Sequence, residues 1–238
     1  MGAEQGTSLD DMLDGADART LNMAGNSFAD RGLWNEAMDC YERSRALYQQ
    51  AGDRRGEALV LNNLGATSYA IGDWDAAQAY YRAALLALRG LDDRETELLT
   101  LMNLCFLHYA QGGQAAEELD HAQRLAEELG QDDPLTKIHW MRGDTAFRDG
   151  QDLPRAFHFY ALACWHASRA GGDLLQRTLG YVDEHLRVLI GRGQTLAALA
   201  FCDHLLDLGR ERDLGPTFVE AVQNKRSSLL SPPLLGAQ

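Results

Sequence analysis

Residues Leu61–Leu85 read LNNLGATSYAIGDWDAAQAYYRAAL, and this stretch decides the fold. Small and apolar residues recur three to four apart on both sides of a Gly72-Asp73 break. That is the spacing of two amphipathic helices joined by a tight turn. Gly65, Tyr69, Gly72, Ala77, Tyr81 and Ala84 stand where two packed helices need small or aromatic residues.

The stretch recurs. Aligning LNMAGNSFADRGLWNEAMDCY, from Leu21, with the residues from Leu61 matches Gly25 to Gly65, Gly32 to Gly72, Ala37 to Ala77 and Tyr41 to Tyr81, each 40 apart. A third copy, LMNLCFLHYAQGG from Leu101, places Cys105 and Gly112 another 40 on. Later copies drift, with Gly143 and Gly150, then Leu186 and Gly193. Asp53, Asp93, Asp133, Asp173 and Asp213 separate the copies at the same interval of 40. A fixed period of this length is the mark of a repeat architecture.

Each element has a physical role. A small residue in the first helix lets the second approach closely. The turn glycine supplies the positive φ with which many helices end. The alanine of the second helix faces the first, where a larger side chain would force the pair apart. The aromatic residue four positions on shares that face and is expected to fill the space between neighbouring pairs. The periodic aspartates fall where new helices begin, as capping carboxylates. Asp133 is expected to cap a helix with Pro134 at its first position, and Asp173 with Gln176 has the spacing of a capping box.

This pattern resembles the tetratricopeptide repeat, in the 40-residue variety found in kinesin light chains and in bacterial regulators. The resemblance covers roughly residues 17 to 209 and is strongest in the first two copies. In the third copy the second helix, AAEELDHAQRLAEEL, lacks the aromatic residue. The fourth has an extra residue near Pro154 before Ala156 and Tyr160, and the fifth has Leu186 for the small residue and Cys202 for the aromatic. The resemblance implies an all-α, right-handed superhelical solenoid of about five helix pairs whose first helices line the concave side.

Composition agrees with a helical fold. Apolar residues make up 45% of 238, there are only five prolines, and the helix-like tracts are rich in Ala, Leu, Glu, Gln and Arg. The formal charge of -13 speaks against nucleic acid and against anionic membranes, since both call for a basic face. The start, MGAEQGTSLDD, is acidic and has no apolar core of the kind a signal peptide carries, and the run AALLAL is far too short to span a bilayer. A cytoplasmic location follows as the expectation. Cys40, Cys105, Cys164 and Cys202 are widely spaced and read as reduced, buried thiols.

The expected organisation is a flexible acidic segment at 1–16, repeats over 17–209, a capping helix within 210–230 and a disordered tail at 231–238. A short helix near Leu9 to Leu13 is expected in the lead-in. The helices are expected at 17–31, 34–51, 54–71, 74–90, 94–111, 114–130, 134–149, 153–171, 173–191 and 195–210, with FVEAVQNKRSSLL at 218–230 as the cap. An array of stacked repeats needs such a terminal element to cover its last apolar face.

Catalytic signals are absent from the sequence. Seven histidines occur, but HExxH, paired CxxC, P-loop, GxGxxG and GxSxG patterns do not. No enzyme activity, metal or cofactor is expected. Trp34 and Trp74 are 40 apart and structural, whereas Trp140 and Trp165 break the period.

Helix periodicity selects the inward residues at three before and one, four and five after the packing glycine. These are Asn22, Asn26, Ala29 and Asp30, then Asn62, Ala66, Tyr69 and Ala70, then Met102, Phe106, Tyr109 and Ala110. The fourth copy supplies Trp140, Asp144, Phe147 and Arg148, and the fifth Asp183, Arg187, Ile190 and Gly191. Asn63 and Asn103 fall one residue on, at the edge. By resemblance to kinesin light chains, asparagines here grip the backbone of an extended peptide, for which an amide both donates and accepts. Tyr69, Phe106, Tyr109, Trp140 and Phe147 would form pockets for apolar side chains, or else pack between repeats.

The expected function is therefore a non-catalytic scaffold that binds a protein or peptide in its concave groove. The alternative is a peptide-sensing bacterial regulator acting through a separate output protein, because only about 16 residues precede the first repeat. A homodimer would use the Phe218–Leu230 helix or the N-terminal face.

Overall fold

The structure is a computed structural model that describes residues 15–113, 115–149 and 152–230. The expected lead-in helix near Leu9 and the tail at 231–238 lie outside these residues. The described residues form eleven helices and no strand. They are α1 (Ala18–Asp30), α2 (Trp34–Ala51), α3 (Arg54–Ala70), α4 (Trp74–Leu88), α5 (Arg94–Ala110), α6 (Ala116–Leu129), α7 (Asp132–Asp149), α8 (Leu153–Ala170), α9 (Leu174–Gly191), α10 (Thr195–Glu211) and α11 (Pro216–Leu230). For these eleven helices every expected boundary lies within two residues of the observed one. From α1 to α5, and from α7 to α11, each helix packs on the next, as expected of helical repeats.

The chain divides into two compact units, Met1–Ala122 and Gln123–Gln238. In the first, α1 packs on α2 and α3 on α4, while α1 also touches α3 and α3 touches α5. In the second, α8 packs on α7, α9 and α10, and α11 covers α10.

Aspartates start several helices by accepting an orphan backbone N–H. Asp53 accepts from Gly56 N at 2.9 Å, Asp73 from Ala76 N at 3.0 Å, Asp93 from Thr96 N at 3.2 Å and Asp152 from Arg155 N at 3.0 Å. Three of the periodic aspartates behave otherwise. Helix α7 begins at Asp132, so Asp133 lies inside its first turn and pairs with Lys137 at 2.5 Å. Asp173 occupies the cap position but makes no capping bond, and its carboxylate turns to Arg177 at 3.2 Å.

Asp213 belongs to the end of α10. It takes φ 51 while Leu214 N bonds back to Gly209 O at 2.9 Å. Gly72 does the same work after α3, at φ 85, with Asp73 N bonded to Ser68 O at 2.9 Å. This left-handed closure favours glycine and tolerates aspartate.

The repeat core rests on one contact. A Cβ on Gly65 would lie 2.5 Å from Cε1 of Tyr81, and one on Gly25 would lie 2.5 Å from Tyr41. Each ring therefore lies flat on the glycine of its own helix pair, rather than between neighbouring pairs as expected from the sequence. Ala77 and Tyr81 are buried in one cluster with Leu104 and Leu107, and Val60, Leu61 and Leu64 in another with Ala37, Tyr41 and Ala84. Each buried leucine contributes about 1.5–3 kcal/mol.

The fourth copy repeats the glycine–tyrosine contact and the fifth replaces it. Tyr160 repeats the contact on Gly143, with a Cβ there 2.7 Å from the ring. In the fifth copy the sizes are exchanged, and Leu186 and Cys202 are both buried in one cluster. The terminal helix uses the same device: Phe218 of α11 lies on Gly209 of α10, with a Cβ there 2.8 Å from the ring. Between Glu220 and Ser228 the exposed positions of α11 are all polar: Glu220, Gln223, Asn224, Ser227 and Ser228.

Candidate functional site

The first helices of the first unit present a regular stripe. On α3 it runs Leu59, Asn63, Ala66 and Ala70, and on α5 the residues 40 later are Leu99, Asn103, Phe106 and Ala110. On α1 it runs Arg19, Met23, Asn26 and Asp30. The steps of four, three and four keep these residues on one side of each helix.

Asparagines of this stripe bond to asparagines of the preceding first helix. Asn63 donates its Nδ2 to Oδ1 of Asn22 at 2.9 Å and to Oδ1 of Asn26 at 3.2 Å. The hydroxyl of Tyr41 donates to Oδ1 of Asn26 at 2.7 Å. One repeat on, Asn103 donates to Oδ1 of Asn62 at 2.9 Å. These amides stitch successive first helices together. Asn22 and Asn62, expected on the open face, are buried, Asn62 at 4% exposure. The next first helix covers them, and a buried amide must be hydrogen-bonded. Asn63 and Asn103 are half-buried and Asn26 is exposed.

Apolar side chains flank the ladder in the open. Met23 is 61% exposed, Leu99 48%, Tyr69 40%, Leu59 37% and Phe106 37%. Tyr69 and Phe106 are among the residues singled out from the sequence, and Tyr109 is half-buried. Met23, Leu59 and Leu99 are additions. The signal that finds Leu59 and Leu99 is their 40-residue register, each one turn before an asparagine of the ladder. The α3 and α5 stripes carry no charged residue, and on α1 charge enters only through Arg19 and Asp30.

The second unit is organised differently at the corresponding positions. Trp140, half-buried, packs its ring 4.6 Å from Tyr160, 4.9 Å from Tyr181 and 5.2 Å from His185. Phe147 and Asp144, expected on the groove, are buried. Phe147 meets His185 edge-on at 4.6 Å. Asp144 accepts from Arg148 at 2.6 Å, lies 3.0 Å from Nε2 of His185 and accepts from the Tyr160 hydroxyl at 3.5 Å. Nδ1 of His185 lies 2.9 Å from the Tyr181 carbonyl oxygen. His185 covers these residues, and it stands 41 residues after Asp144, the same step that joins Asn22 to Asn63.

Among the described residues no group of three or more His, Cys, Asp or Glu is placed to hold a metal ion. Burial pushes the Cys164 thiol up to about 12 and Cys202 to about 11, which leaves little thiolate at neutral pH. Among the described residues no helix is long and apolar enough to cross a membrane.

The family model described as tetratricopeptide repeat matches residues 17–89. Residues 17–89 carry tetratricopeptide repeats. No curated protein matches it. The matched span holds α1 to α4, two helix pairs in each of which a tyrosine lies on a glycine. Tetratricopeptide repeats generally mediate protein–protein interaction, and the family generally serves as a non-catalytic scaffold.

Proposed function

We propose that this tetratricopeptide repeat protein is a non-catalytic scaffold that holds an extended peptide segment of a partner protein along α1, α3 and α5. The supporting observation is the uncharged, apolar stripe of Leu59, Ala66, Leu99 and Phe106, beside Tyr69 and Met23, exposed on helices already fixed to one another by the asparagine ladder. The ladder sets the spacing of the helices, and its unused amide capacity on half-buried Asn63 and Asn103 meets a peptide backbone. The apolar side chains supply the contacts that carry affinity.

The test begins with peptides selected against the purified chain from a displayed random library. Their affinity is then measured by calorimetry on the wild type, Tyr69→Ala and Phe106→Ala. The expected result is weakening by about 1–3 kcal/mol for each variant. Unchanged affinity in both variants would remove the peptide from this face.

A further inference from the structure

Four of the seven histidines gather on one side of the second unit, on α7, α8 and α10. His139 of α7 is 4% exposed, and its Nδ1 has no hydrogen-bond partner. Its ring stacks on His166 at 5.2 Å and on Phe159 at 6.1 Å, both on α8. His158 of α8 lies 6.1 Å from Phe159 on one side and 5.9 Å from His204 of α10 on the other. Nε2 of His204 is likewise buried without a partner.

The charges around this row are mostly positive. Arg142 of α7 and Arg155 of α8 stand over the Phe159 ring at 5.8 and 5.6 Å. Asp132, the carboxylate on this side of α7, is already engaged: it lies 2.7 Å from Nδ1 of His166 and accepts from Arg169 at 3.0 Å. Asp207 acts on His204 from α10 itself. A proton arriving at His139 therefore meets cations and an aromatic ring, with no acceptor.

We infer that this histidine row is an acid-sensitive latch that holds α7, α8 and α10 together at neutral pH and releases them as the solution becomes mildly acidic, while α1–α5 stay folded.

The direction of the charge effects agrees. Burial, helped by His166, Arg142 and His158, lowers His139 to about 3, and burial with His158 also lowers His204. The folded unit thus keeps His139 neutral, whereas the unfolded chain takes up a proton below its ordinary value of about 6.5. Stability is complete above that pH and is lost progressively as pH falls from about 6.5 towards 3. The first unit has no such row: His108 shares a hydrogen bond with Gln78 at 2.8 Å, and His121 faces Glu97 at 3.4 Å.

The test is hydrogen exchange read by mass spectrometry on the full chain between pH 7 and 4, corrected for the intrinsic pH dependence of exchange. Segments of α7, α8 and α10 are expected to lose protection at a higher pH than those of α3 and α4. His139→Phe, which fills the same slot without a titrating group, is expected to move that loss down by about one pH unit. Loss of protection in both units at one pH, or an unshifted profile in His139→Phe, would overturn the latch. Should that variant fail to fold at pH 7, imidazole NMR of the wild type decides. A His139 ring that stays neutral until α7 opens supports the latch, and one that titrates while α7 remains protected refutes it.

Discussion

Asn103 donates its side-chain amide to the carbonyl oxygen of Asn62 at 2.9 Å, joining α5 to α3 through residues 41 apart in the chain. The bond explains why two amides on a face of exposed hydrophobic residues are not simply solvent-facing. Asn103→Leu should cost about 1–3 kcal/mol, because it leaves the buried Asn62 carbonyl without its donor. The double variant with Asn62→Leu should lose less than the sum of the two singles, since neither amide is then left unpaired. Chemical denaturation of the four proteins measures the coupling, and additive losses would mean the bond contributes nothing.

How far the sequence reached depends on what each feature requires. Gly65, Ala77 and Tyr81 recur at a fixed period because each must fit a contact shared by every pair, so the helices were legible to within two residues. The asparagine ladder was not, because its bonds step 41 residues rather than 40, and periodicity alone does not reveal that one-residue advance. Phe147 and Asp144 were expected in the open for a related reason: nothing in their own repeat signals that His185 of α9 lies over them.

The glycine–tyrosine contact sets a second expectation. Gly65→Ala places a carbon 2.5 Å from the Tyr81 ring, and that ring is buried with little room to move. The substitution should destabilise the chain by about 1–3 kcal/mol through overpacking. Ala77→Trp should cost at least ~2 kcal/mol at the neighbouring contact for the same reason. Denaturant midpoints equal to the wild type would remove this contact from the core.

The terminal helix can be tested through Phe218, which is buried against Gly209. Phe218→Ala should cost about 3–5 kcal/mol if α11 is integral to the second unit. Glu220→Ala, on the polar outer face, should stay within about 0.5 kcal/mol. Equal effects of the two would mean α11 does not cap the array.

Binding and stability should separate at the exposed stripe. Tyr69→Ala and Phe106→Ala should change stability by no more than about 0.5–1 kcal/mol, because Tyr69 is 40% and Phe106 37% exposed. A large stability loss in both would make them packing residues rather than contact residues.

The most direct measurement of the central claim uses a photoreactive amino acid introduced singly at two alanines, both exposed. Ala66 lies mid-stripe on α3, and Ala79 lies on the second helix, α4. Each protein is irradiated with the library-selected peptide at a concentration that saturates the wild type. The account predicts a crosslink from position 66 that unlabelled peptide competes away, and none from position 79. A crosslink from position 79 with none from position 66 would contradict it.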